Sequence, residues 1–256
     1  MLIKTILSCL ALSVLASMEV VAADAPAASA QLTADQVVAK NIAAKGGLQA
    51  WRAVQSMSFS GKVDAGGKQN VQLPFVMEMK RPRKTRVEIE FANDKAIQTY
   101  DGANGWKLRP FLGRRDVEQF SAEELRSASM ELQLDGPLVD YATKGTQVEL
   151  AGVEKVEGHD TYKLKLTMNG GQVRYLWVDA QTFLEVKIEG QPRRMDGKMR
   201  PVEIYYRDYK SVNGLMVPYV LETSVQGIKP SHKITIQNVA VNPKLEDSLF
   251  AGPKIK

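Results

Sequence analysis

The residues that could carry covalent chemistry in this chain are few and scattered. His159 and His232 are the only histidines, and they fall on separate hairpins of the expected strand pattern. Neither has a His or carboxylate at the helical spacing of a metal site, and Asp160 beside His159 reads as turn chemistry. No G-x-S-x-G elbow is present, and no G-x-G-x-x-G or phosphate loop follows a strand. Carboxylates are plentiful, but residues such as Glu88 and Glu90 alternate along polar strand faces beside Lys and Arg. Cross-strand ion pairs account for them. No nucleophile–base pair, metal set or cofactor motif can be assembled, so the expectation is a non-catalytic protein without a cofactor. The chemistry that remains is apolar recognition.

That chemistry rests on strands that are apolar at alternate positions. Leu73, Phe75, Met77 and Met79 form one row, and Val87, Ile89 and Phe91 the next. Tyr162, Leu164, Leu166 and Met168 follow, then Leu184, Val186 and Ile188. Glu78, Lys80, Arg86, Lys163, Lys165, Glu185 and Lys187 stand between them. A period of two sends one set to each face of a sheet. The expected element is therefore a large antiparallel sheet, greasy on one face and wet on the other.

The elements around these rows follow from local signals. Thr33-Ala34-Asp35-Gln36 is a capping box that opens a first helix with Val37, Val38 and Ile42 on its apolar stripe. Gly46-Gly47 stops it, and a short helix over Leu48 to Val54 carries Trp51. A second capping box, Ser121 to Glu124, opens a helical insert with Leu125, Ala128 and Leu132 at helical spacing and Met130 widening the stripe. Asn169-Gly170-Gly171 marks a hairpin, and further strands run over Val202 to Tyr209, Val217 to Val225 and Lys233 to Val239. The order helix, strands, helices, strands is that of an α+β fold with a single sheet.

The N-terminus speaks to compartment. Lys4 precedes an apolar stretch from Thr5 to Val21, and Val21-Ala22-Ala23 offers small residues for cleavage. This is the pattern of a secretory signal peptide over residues 1–23, followed by a flexible lead-in over 24–31 and one domain over 32–256. No later segment approaches the roughly 18 apolar residues of a spanning helix, so no transmembrane segment is expected in the mature chain. Cys9 is the only cysteine and lies in that leader, which leaves the mature chain without disulfides. The formal net charge is +5, a mild excess that favours anionic surfaces and, in an exported protein, does not point to nucleic acid.

The greasy face has two readings: an ordinary core under the helices, or a hollow for an apolar guest. Met57, Met77, Met79, Met130 and Met168 favour the hollow, because methionine adapts to irregular shapes. So does the shortage of helix to cover so much strand. The expected wall is Leu73, Phe75, Met77, Met79, Val87, Ile89 and Phe91, the expected lid Leu125, Met130 and Leu132, with Trp106 at the rim.

Several stretches, taken in order, resemble the periplasmic outer-membrane lipoprotein-sorting proteins, the LolA/LolB-like family. They are Ala43 to Gly47, Tyr100 to Trp106, Asp135 to Tyr141, Asp208 to Pro218 and the ending Asp247 to Phe250. The resemblance implies a strongly curved antiparallel sheet, an incomplete β-barrel, with helices covering its concave apolar face. It implies a periplasmic carrier for lipid acyl chains or lipoproteins, with a protein partner in the inner or outer membrane. An envelope-stress sensor or interaction module on the same fold, holding no lipid, is the alternative. A hydrolase of envelope material is a third reading, with no nucleophile to support it.

Overall fold

A computed structural model describes residues 32–64, 71–110, 113–130, 133–229 and 231–253, with the backbone alone at Met130. The expected signal peptide, the lead-in and Leu132 lie outside the described residues.

Helix α1 (Ala34–Ala44) begins as its sequence dictates. The Thr33 hydroxyl accepts from the Gln36 amide at 3.2 Å, and the Gln36 side chain accepts from the Thr33 amide at 2.9 Å. This reciprocal cap satisfies two orphan donors. Gly46 then turns the chain at φ 111°, against the carbonyl of Gly214; a Cβ there would lie 2.3 Å from that oxygen. Helix α2 (Leu48–Ala53) follows and buries Trp51.

The strands are β1 (Ser56–Asp64), β2 (Gln72–Lys80), β3 (Lys84–Phe91), β4 (Asp94–Tyr100), β5 (Gly105–Arg109) and β6 (Arg114–Gln119), before α3 (Ala122–Met130). Then come β7 (Gln147–Val156), β8 (His159–Thr167), β9 (Val173–Asp179) and β10 (Glu185–Glu189). A small hairpin of β11 (Arg193–Met195) and β12 (Lys198–Arg200) leads to β13 (Val202–Val212), β14 (Leu215–Val225) and β15 (His232–Val241). Thirteen of these form one sheet in the order β6-β5-β4-β3-β2-β1-β15-β14-β13-β10-β9-β8-β7, and the pairings are antiparallel. The first and last strands meet in the middle. Strands β6 and β7 do not pair among the described residues, so the barrel stays open.

Register breaks help the sheet bend. One falls at Ser60/Gly61, where β1 crosses β15. A Cβ on Gly61 would lie 2.1 Å from the Thr235 carbonyl, so only glycine fits. Others fall at Leu150/Gly152 and Glu185/Lys187. Bulges raise local twist and turn side chains over.

The concave face carries two clusters. One joins Val37 and Val38 of α1 to Leu138, Leu164, Leu166, Leu176 and Val178. The other joins Trp51 and Val54 to Met57, Phe59, Phe75, Leu215 and Ile236. The outer face is also covered in part. A C-terminal 3-10 turn (Asp247–Phe250) lies on β3 and β4 with Phe250 fully buried. Arg86 donates to the Leu249 carbonyl at 2.9 Å, Thr99 to that of Ala251 at 3.2 Å, and Lys80 and Lys84 grip Asp247 at 2.7 and 2.9 Å. These two lysines hold the exposed Asp247 carboxyl down at about 2.

Candidate functional site: a hollow on the concave face

A hollow of about 690 Å³ lies between the two clusters. This is within the usual range of small-molecule sites, roughly 300–1,000 Å³. Its wall is set by strand register. Met57 stands opposite Met79, Phe59 opposite Met77, and Met77 opposite Val87, so all face the same side. The far wall continues the row through Leu176, Ile188, Ile204, Tyr206, Leu221, Ile234 and Ile236. Ser127 and Ala128 of α3 and the segment Gln133 to Pro137 lie over it.

One end of the hollow is polar and braced. Lys45 caps the C-terminus of α1, and its Nζ lies 2.8 Å from Glu185 Oε1, with both side chains buried. Glu185 faces inward because the bulge before Lys187 places it opposite Val178. Tyr209 donates to the Glu185 carbonyl at 3.0 Å and to its carboxylate at 3.2 Å. Burial pushes the Tyr209 phenol well above its ordinary range, with Glu185 adding to the effect. Trp51 donates to the Lys45 carbonyl at 3.0 Å, and the Lys45 ammonium lies 5.2 Å from the Trp51 ring.

A second buried anion ties the covering segment to the same end. Asp135 sits 2.9 Å from Arg81 and 2.6 Å from Lys144. Arg81 also donates to the carbonyls of Val54 and Trp51. Burial lowers the Lys144 ammonium, against the pull of Asp135. The opposite end of the hollow reaches the surface at the exposed residues Pro192 and Arg193.

No family model matches this chain, and no curated protein does. Solved structures do. A LolA superfamily protein from Nitrosomonas europaea aligns with a TM-score of 0.55 at 16% identity, over 86% of this chain and 98% of its own. A DUF1329 family protein from Desulfovibrio piger gives 0.56 at 15%, over 85% and 97%. A domain described as an outer membrane lipoprotein-sorting protein, from Vibrio parahaemolyticus, gives 0.54 at 12%, over 84% and 94%. The chain has the LolA-like fold. At these identities the likeness is one of fold.

Within this LolA-like trough the expected wall residues part ways. Met77, Met79 and Val87 line the hollow. Phe75 and Ile89 share their row but pack into the cluster of β1, β14 and β15 instead. Leu73 is half-buried beyond them, and Phe91 is 46% exposed at the end of β3. Trp106 is a correction. It stands opposite Thr99 and Gln119 on the outer face, against Gly252 of the C-terminal segment, while its neighbour Lys107 takes the inward position. The lid differs too. Lys107 holds Glu124 and so ties the first turn of α3 to β5, which leaves Leu125 off the hollow. The side chain of Met130 lies outside the described residues, as does Leu132.

Three features escaped the sequence reading. The far wall on β13–β15 was legible in principle, since Ile204 and Tyr206, and Ile234 and Ile236, alternate as clearly as the chosen rows. The inward turn of Glu185 was not, because Leu184, Val186 and Ile188 alternate as if no bulge lay among them. The third is that the basic run Lys80 to Lys84 is engaged within the molecule. Its side chains hold Asp247, Asp135 and the Ser129 carbonyl.

Proposed function

We propose that the protein is a non-catalytic periplasmic binder and carrier of acyl chains, belonging to free lipids or to lipoproteins. The hollow carries this reading: about 690 Å³ with polar ends and, between them, walls of methionine, leucine, isoleucine and valine on a LolA-like sheet. Methionine side chains reshape around irregular guests. Burial of about fifteen methylenes at about 0.8 kcal/mol each contributes about 12 kcal/mol, and association costs of about 4 kcal/mol leave the scale of a micromolar complex. The named neighbours support a role in lipoprotein sorting, and the signal-peptide pattern of residues 1–23 supports the periplasm.

Native mass spectrometry of protein purified from cell envelopes without detergent tests the reading. The expected spectrum contains adducts that dissociate as lipid or acylated peptide. Bare protein, with no adduct at any stage of purification, contradicts it.

A further inference from the structure

Among the described residues six large apolar side chains are exposed, and four of them lie at the same end of their strands. Val71 precedes β2, Phe91 ends β3, Val173 opens β9, and Met199 lies on the β11–β12 hairpin. The antiparallel registers, followed from β3 through β2, β1, β15, β14, β13 and β10 to β9, put these four positions at the same end. Their exposures are 39, 46, 43 and 57%. This is also the end at which the hollow opens, past Pro192 and Arg193. The opposite end is the one braced by Lys45–Glu185 and Asp135–Arg81.

Charge gathers there as well. The hairpin carries Arg193, Arg194, Lys198 and Arg200 against a single carboxylate, Asp196. Arg200 is engaged by the Gln226 carbonyl at 3.1 Å, but Arg194 and Lys198 stay exposed at the tip beside Met199. Cations flanking an exposed apolar side chain are the makings of an interfacial anchor. The cations meet phosphates and the apolar group enters the acyl region. An acidic protein groove would satisfy the charges, but gives no reason for four exposed apolar side chains at the end of the sheet where the hollow opens.

We infer that the open end of the hollow docks on an anionic lipid bilayer, with the β11–β12 hairpin making first contact through Arg194, Lys198 and Met199. Docking there sets the mouth against the layer from which an acyl chain would be drawn, so the inference rests on the acyl-carrier reading. The basic tip supplies the attraction and the salt sensitivity.

Co-sedimentation with vesicles of phosphatidylglycerol and phosphatidylcholine tests it. The protein should bind the mixed vesicles, lose at least tenfold in affinity in 0.5 M salt, and bind pure phosphatidylcholine weakly. The double variant Arg194→Glu/Lys198→Glu should lose at least tenfold, and Met199→Asp several-fold. Both change exposed side chains, so both should bind a fluorescent fatty acid in solution as the parent does. Absence of binding to the anionic vesicles overturns the inference and leaves this end to an acidic protein partner. Equal binding by parent and variants overturns it too. Loss of fatty-acid binding in the parent would instead strike the acyl-carrier reading, separately from the docking.

Discussion

The two halves of the concave face carry the same alternating pattern and end in different states. On β8 and β9, Leu164, Leu166 and Val178 are fully buried, because α1 lays Val37 and Val38 over them. On β2 and β3, Met77, Met79 and Val87 remain only half-buried and face space. Strand alternation decides which face a side chain takes, but not what lies above it. Here the difference is one eleven-residue helix. The half packed directly under α1 is a core, and the half that α3 and the segment Gln133 to Pro137 span at a distance is a wall.

Variants can break this contrast, beginning at the seam. Glu185→Leu strands the buried ammonium of Lys45 and should cost about 3–5 kcal/mol in a denaturant titration. Restoring neutrality with Lys45→Met in the same chain should recover most of it. Leu164→Ala, in the sealed half, should cost about 2–5 kcal/mol, because its cavity cannot collapse under α1. Met77→Ala, in the open half, already borders space and should cost about 1 kcal/mol or less. If these two costs came out equal, the halves would not differ as described.

Met79→Trp sharpens the contrast from the other side. Filling the hollow should change stability by under about 1 kcal/mol while weakening fatty-acid binding at least tenfold, since the added ring takes the guest's place. The same substitution at Leu166 should destabilise the protein.

The smallest effect is expected on the outer face. Asp247 titrates in the folded chain at about 2, below its ordinary value of 3.8, because Lys80 and Lys84 bind its carboxylate. A depressed carboxyl stabilises fully above its unfolded value and loses that contribution as pH falls through the folded one. The C-terminal turn should therefore hold at pH 5 and loosen between about pH 4 and 2, read as a change in Trp106 fluorescence. Asp247→Asn should weaken the turn at pH 5 and flatten that acid step.

Much of the fold was legible because it rests on local rules. The Thr33/Gln36 and Ser121/Glu124 boxes mark two helix starts, and both reciprocal pairs of hydrogen bonds form. Alternation marks the strands. The site was legible only where the alternating row faces the hollow, at Met77, Met79 and Val87. Trp106 shows the limit. The sheet is covered on both faces near β4 and β5, within by α3 and without by the C-terminal turn, so an apolar row there has two homes. Glu185 shows another limit. A single bulge reverses a side chain without changing the apparent period, and only the three-dimensional register reveals it.

The central claim is that the open half of the concave face is a site for acyl chains. Titration of delipidated protein with a fluorescent fatty acid tests it most directly. Saturable binding in the micromolar range is predicted, lost in Met79→Trp and kept in Arg194→Glu/Lys198→Glu. No saturable binding by the parent protein, or binding unchanged by Met79→Trp, would contradict it.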